Sequence, residues 1–358
     1  MKRASKLRTV KLSLLRALKG AGLFGLAANS QWRRDRLLIL CYHGISLEDE
    51  HLWDPDLYMA PKQFASRMEL LERCKCRVLP LGEGLERLYA RDLPPRSVVL
   101  TFDDGFHDFS ARAFPILQQH GFPATVYLST YYCDHPYPVF SVASSYLLWK
   151  NSGKNVPRDE DFAIDLDLRN EISRSRTWRA LAAFCEEHGF SGELKNEVLQ
   201  KVACRLGFSF DRFMASRVLQ LLTPAETSCL AAAGIDFELH THRHRTPDDG
   251  DYFRAEVEDN RARLSAMTGV VPKHFCYPSG VVQSRFLPWL KESGVVSATT
   301  CERGFARPAT MPLLLPRGVD VSGATELEFE SWLCGIGALV SRQVFGWRSP
   351  DRLAAAEI

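Results

Sequence analysis

Apolar runs of strand length recur along the chain, and several end abruptly in polar residues. Leu37-Leu38-Ile39-Leu40-Cys41-Tyr42 runs into His43-Gly44, and Val98-Val99-Leu100-Thr101-Phe102 runs into Asp103-Asp104-Gly105. A run over 123–129 follows. Another over 235–239 leads straight into His240-Thr241-His242-Arg243-His244. Later runs cover 274–277 (ending in Pro278-Ser279-Gly280), 295–299 and 313–320. Unbroken apolar runs mark strands covered on both faces, as in parallel sheets. Between them, helical spacing of apolar positions predicts helices over 61–74, 82–90, 110–120, 252–267, 285–293 and 326–340. This alternation predicts a parallel α/β architecture. Polar clusters at the C-terminal ends of several strands stand where (β/α) barrels put their active sites. No glycine-rich phosphate loop follows the first strand, as a doubly wound sheet would have it.

The pattern changes between about 131 and 222. Helical stretches over 177–188, 193–206 and 212–222 carry no polar cluster of the strand-end kind, so this part reads as a helical insertion beside the barrel. Thr223-Pro224-Ala225-Glu226 then marks a helix start, with Thr223 as cap, Pro224 at the first helical position and Glu226 closing a capping box. The chain divides into an N-terminal segment (1–36), a barrel domain with its insertion (37–340) and a C-terminal tail (341–358).

Net charge is +2, so bulk attraction to nucleic acid is not implied, but the charge is uneven. No acidic residue occurs before Asp35, against nine basic ones. Leu7, Val10, Leu14, Leu18 and Ala21 recur at helical spacing among these cations, and no apolar run reaches spanning length. That pattern predicts a basic amphipathic helix lying on an anionic membrane surface, or a helix packed on its own domain with a solvated basic face. The basic residues lack the interleaved aromatics of a nucleic-acid binder. Ten scattered cysteines form no CxxC pair, which favours a reducing compartment. The expected location is the cytoplasm, peripheral on the inner membrane; the even cysteine count leaves the periplasm open.

Two adjacent acids at the end of a buried strand do not serve a core, because each loses hydration and opposes the other's ionisation. A cation resolves this, one acid ligating it and the other serving as base. The plainer alternative is a helix cap at Asp104. His240 and His244, four residues apart, can meet at one ion on a helix or tight turn; in an extended segment His242 would share their face. No Glu follows His240, so this is not a HExxH site, and the base must come from the acid pair. Asp104, His240 and His244 would make an open site with room for water. Asp103 would take the water's proton, and a metal with one backbone N–H would hold the oxyanion.

Thr101-Phe102-Asp103-Asp104-Gly105 resembles the TFDDG motif of the polysaccharide deacetylases, the NodB-homology family of carbohydrate esterases. His240-Thr241-His242-Arg243-His244 resembles their H-[ST]-x-x-H motif, and Phe275-Cys276-Tyr277-Pro278-Ser279-Gly280 their third motif. The Tyr42-His43 strand and the insertion are similar to the branch found with surface-polysaccharide biosynthesis. The resemblance implies a distorted (β/α)7 barrel and metal-dependent removal of acetyl from N-acetylhexosamine units of a surface glycan or its lipid-linked precursor. It implies Asp103 as base, Asp104, His240 and His244 as ligands of a divalent metal (Zn²⁺, with Co²⁺ or Ni²⁺ as substitutes), and the Ser279 backbone N–H as oxyanion donor. Two positions depart from the pattern. The family's third-motif Arg falls on Cys276, leaving Arg317, on another strand, as the candidate for that role. No Leu-x-His motif is visible to supply the general acid, so His43, another residue or solvent would protonate the amine. The rival activities are an O-acetyl esterase, a deformylase on a sugar lipid, and a silent metal-holding glycan-binding protein.

Overall fold

Side-chain alternation along the strands sorts the chain into an inside and an outside. In the computed structural model, which describes residues 2–135, 137–160 and 162–344, seven strands form the ring. They are β1 (Leu38–Tyr42), β2 (Ser97–Phe102), β3 (Thr125–Leu128), β4 (Asp236–Leu239), β5 (His274–Cys276), β6 (Ser297–Arg303) and β7 (Leu315–Val319). All neighbours are parallel and stand in chain order, and β7 pairs back on β1 (Leu40 opposite Gly318), so the barrel is closed. This is a (β/α)7 barrel. A short strand, Arg77–Val78, adds to the start of β2.

Leu38, Leu40, Tyr42, Val98, Leu100 and Phe102 point outward into the main core beneath the helices. Leu37, Ile39, Val99, Tyr127, Cys276 and Leu315 point into the lumen. Asp103 therefore continues the lumen row Val99–Thr101, and Arg317 continues that of Leu315.

Among the helices, α1 (Lys2–Gly20) and α2 (Leu23–Ala28) form an N-terminal layer. Helix α3 (Leu81–Ala90) puts Leu81, Leu85 and Leu88 into the lumen cluster and so closes the barrel floor. A Cβ on its Gly84 would lie 2.9 Å from Val99. The insertion contains α4 (Phe140–Lys150), α5 (Glu171–Glu187) and α6 (Gly192–Arg205), with a small core of its own around Leu166, Leu181 and Val202. Helix α7 (Gly250–Thr268) covers β4 and β5. The Thr223–Glu226 capping box forms as expected. The single helix expected over 326–340 is two: α8 (Glu326–Cys334) ends at Gly335, whose φ is 95° and where a Cβ would strike the Trp32 ring. A second helix, Ile336–Val344, follows. The rest of the expected tail, from 345, lies outside the described residues.

The N-terminal layer is turned about from what a free amphipathic helix would show. Lys11 and Leu15 face the domain, and Lys11 pairs with Glu328 at 3.2 Å. Arg8 and Lys19 bond Glu328 and Glu330, and Arg8 also donates to the Gly323 carbonyl. Leu15, Phe24 and Ala28 pack on Cys334 and Ile336. Part of the stripe picked out by spacing faces outward instead: Val10 is 66% exposed and Leu14 47%, and Leu26 of α2 is 70% exposed, while Leu18 packs on the inner cluster. No helix among the described residues is long and apolar enough to cross a membrane.

Candidate active site

The site is assembled at the C-terminal end of the barrel from the turns after β2, β4 and β5 and from the end of β7. Asp103 is the last residue on the lumen row of β2 and is 3% exposed. The chain then reverses through two positive-φ residues, Asp104 (70°) and Gly105 (80°). Glycine is required at the second, since a Cβ there would meet Leu128 Cδ1 at 2.1 Å. This reversal lifts the Asp104 carboxylate out of the lumen while Asp103 stays in it.

Arg317 meets Asp103 from β7. Its Nη1 donates to Asp103 Oδ1 and its Nη2 to Oδ2, both at 2.7 Å, and its Nε donates to the Thr300 carbonyl at 2.9 Å. Planar guanidinium forks match carboxylates in this two-bond geometry. Burial alone would push the Asp103 carboxyl up. The charge and hydrogen bonds of Arg317 outweigh it and hold the group below the usual carboxylate range. Asp103 is thus kept ionised inside a dry barrel. Two thiols complete its surroundings, Cys276 Sγ at 3.4 Å and Cys41 Sγ at 3.6 Å from Oδ2. Cys276 also accepts from Arg317 Nη2 at 3.2 Å. The small Cys276 side chain leaves the space through which the guanidinium of Arg317 arrives from the other side of the lumen. In the sequence Cys276 stands only as a gap in a motif; its position on the lumen row with Ile39 and Val99 is the signal that it touches the acid.

The second group of residues is a three-membered cage. Asp104 Oδ1 lies 3.2 Å from His240 Nε2 and 3.2 Å from His244 Nε2. One ligand atom from each of the three residues lies within 4.8 Å of the others. His240 is oriented by Cys276, whose carbonyl lies 2.9 Å from Nδ1. A carbonyl only accepts, so Nδ1 carries the proton, and in the neutral ring Nε2 presents a lone pair to the Asp104 oxygen. Two acceptors face each other at hydrogen-bond distance, an arrangement that calls for a cation between them. The donor set, two imidazoles and a carboxylate, is that of open zinc sites. The residues present therefore fit a divalent ion.

His242 stands outside this cage. Its Nδ1 meets Thr130 Oγ1 at 2.9 Å, and its ring stands edge-on to Tyr131. The segment is not extended: Thr241 (φ 60°) and His244 (φ 55°) fold it into a turn that sends His240 and His244 to one side. Ser279 has φ 53° in the turn after β5. Asp104, Thr241, His244 and Ser279 together make four of the nine non-glycine residues with positive φ among the described residues, so backbone strain concentrates at this mouth. His43, at the end of β1, brings Nε2 to 3.7 Å from Asp103 Oδ2.

The polysaccharide deacetylase family model matches residues 90–156 and 194–298. The chain carries a polysaccharide deacetylase domain over these residues, which makes it an enzyme that hydrolyses the C–N bond of linear amides. The match spans Asp103, Asp104, His240, His244 and Ser279, skips 157–193 inside the insertion, and ends before Arg317. Solved deacetylases share the fold at low identity. The Streptococcus pyogenes deacetylase PplD in complex with acetate is 19% identical, with a TM-score of 0.53 over 80% of this chain and 93% of that one. IcaB from Ammonifex degensii is 16% identical, with a TM-score of 0.53 over 84% and 98%. BC0361, a polysaccharide deacetylase from Bacillus cereus, is 16% identical, with a TM-score of 0.51 over 84% of this chain and 69% of that one. No curated protein matches the chain by sequence.

Proposed function

We propose that this deacetylase removes N-acetyl groups from hexosamine units of a bacterial surface polysaccharide or its lipid-linked precursor. The observation that carries the reading is the division of labour between neighbouring acids. Asp103 is locked to Arg317 in the lumen, and Asp104 faces two histidine nitrogens outside it. Asp104, His240 and His244 would hold a divalent ion, with Zn²⁺ the best match to the donor set. Such an ion supplies Lewis acidity to water and to the acyl oxygen when bound. Asp103, ionised by Arg317, is the base that receives the water's proton. Held so low, it is a weak base and needs a water made acidic by its surroundings. The Ser279 N–H, at the end of β5, is the proposed donor to the oxyanion. His43, on the same side as Asp103, is the candidate to return a proton to the leaving amine. Acetate, the product of this reaction, is the ligand in the Streptococcus pyogenes structure.

The N-terminal layer is proposed to rest on a lipid surface. Its exposed stripe is apolar, no acid occurs before Asp35, and Arg16 makes no ion pair among the described residues. Interfacial helices bury such a stripe among lipid headgroups with cations at its rim. The bond from Arg8 to the Gly323 carbonyl sets the start of α1 beside the loop that leaves β7 at the catalytic end, as suits a substrate tethered in the membrane. This reading keeps the enzyme on the cytoplasmic face.

Acetate release from N-acetylglucosamine oligomers and sugar lipids tests the assignment, with Zn²⁺ or Co²⁺ added. Wild type should release acetate. Asp103→Asn should lose roughly a thousandfold or more in turnover, in the upper range for a general base, while still binding about one metal per chain. Turnover by that variant would remove Asp103 from the role.

A further inference from the structure

The barrel floor carries a feature that the deacetylase chemistry does not use. A cleft of about 440 Å³ opens there, lined by Arg34, Arg36, Arg91 and Arg307 with Leu93 and Pro308 among its apolar wall. Arg36 precedes β1, Arg91 follows α3, and Arg307 adjoins Ala306, which bridges to Leu37 at the start of β1. All three therefore lie at the N-terminal ends of the strands, away from the catalytic mouth by the length of a five-residue strand, roughly 17 Å. The volume falls within the range of about 300–1,000 Å³ typical of small-ligand clefts.

The charge around this cleft is one-sided. Among the described residues none of the four arginines is in an ion pair. The single carboxylate lining the cleft, Asp35, accepts from Gln31 Nε2 at 2.7 Å. Guanidinium groups brought together repel, and Arg36 is held below its ordinary value first by burial and then by the charge of Arg307, with Asp35 opposing both in part. The backbone beneath the cleft and Arg36 are held in place nonetheless. Arg33, fully buried, donates to the carbonyls of Leu333 (2.8 Å), Arg36 (2.7 Å) and Ser97 (3.0 Å), which ties the backbone beneath the cleft to the barrel. Arg36 lies over the Trp32 ring at 4.2 Å and donates to the Trp32 carbonyl at 2.7 Å. Arg91 caps α3 with φ 59°, where glycine is the ordinary occupant. A costly conformation thus puts one more cation at the rim, although the C-terminus of α3 itself disfavours an anion.

We infer that this cleft is a binding site for a phosphate-bearing anion, distinct from the catalytic centre. Four forked donors suit a compact ligand with several oxygens and more than one negative charge, as in a phosphomonoester or diphosphate, better than a single carboxylate. The same chemistry is offered by a lipid headgroup and by a soluble phosphate. The site stands whether or not the deacetylation reading above does.

Calorimetric titration of the full chain with inorganic pyrophosphate tests the site. Wild type should bind close to one equivalent, and the affinity should fall steeply with added salt. The double variant Arg91→Gln/Arg307→Gln, both exposed positions, should weaken binding tenfold or more with an unchanged melting temperature. Absence of saturable binding, or equal binding by the variant, would overturn the site; the second result would place pyrophosphate elsewhere on the chain. Sedimentation with phosphatidylglycerol vesicles separates the sources. Vesicle binding that pyrophosphate competes away and the double variant loses identifies a headgroup site. Vesicle binding indifferent to both leaves the cleft to a soluble phosphate.

Discussion

Arg317 and Asp103 are buried charges, each the main compensation of the other, and that makes the pair unforgiving. Removing one partner of a buried ion pair leaves an uncompensated charge and costs about 3–5 kcal/mol. Arg317→Met should therefore lower the unfolding free energy measured by chemical denaturation by an amount in that range and, by releasing the Asp103 carboxyl to rise with burial, abolish turnover at neutral pH. A variant as stable as wild type would mean that Asp103 finds another counter-charge. The histidines make a second contrast at this scale. His244→Ala should weaken Zn²⁺ binding by a hundredfold or more in competition with a chelator, and His242→Ala by no more than a few fold, since Thr130 rather than the cage receives the His242 ring. The reverse order would exchange their roles.

At the scale of elements, apolar runs ending in polar residues were enough to find all seven barrel strands, because a strand covered on both faces takes a charge into its interior only where a partner meets it, as at Arg317 and Glu238, and otherwise keeps its polar residues for its end. The Asp103–Asp104 and His240–His244 groups were legible for the same reason. The face that each element turns inward was not. The spacing of Val10 and Leu14 defines a stripe on α1 but not what the stripe meets, and Glu328, three hundred residues away, decides that Lys11 turns inward. The separation of His242 from His240 and His244 depends on two positive φ angles at Thr241 and His244, which neither residue type announces. Arg317 could be nominated as the partner of Asp103 only by elimination; its place on the lumen row beside β1 is a matter of register. The outward stripe carries its own expectation. Leu14→Asp with Leu26→Asp should abolish flotation with anionic vesicles and leave hydrolysis of soluble substrate unchanged. Undiminished flotation would transfer membrane contact to another surface.

For the molecule as a whole, the floor of the barrel sets a limit on its acid tolerance. His274, at the start of β5, is 4% exposed; burial holds its ring down to about 4, with the charge of Lys273 adding to the effect. Its Nδ1 meets Ser297 Oγ at 2.8 Å, and its Nε2 has no partner among the described residues. The unfolded chain takes up this proton near pH 6.5, the folded barrel only near 4. The contribution of His274 to stability is therefore complete above pH 6.5 and is lost as pH falls from there to about 4. At roughly 1.4 kcal/mol per unit of displacement the loss is about 3 kcal/mol. His274→Asn, which can keep the bond to Ser297, should flatten this part of the stability–pH curve. An unchanged slope in urea melts between pH 6.5 and 4 would assign the loss to other groups.

The closure of the ring by β7 has a consequence in time. Asp103 leaves the ribosome more than two hundred residues ahead of Arg317, and α1 precedes its glutamate partners by more than three hundred. At about 5–20 residues per second, the acid waits ten seconds or longer for its guanidinium, and the first helix waits longer still for a surface to dock on. A nascent chain that has made Asp103, Asp104, His240 and His244 still lacks the charge that keeps Asp103 ionised. With Asp103 as the proposed base, hydrolysis would become available only once the last strand is in place, so an incomplete chain at the ribosome would be an inactive one.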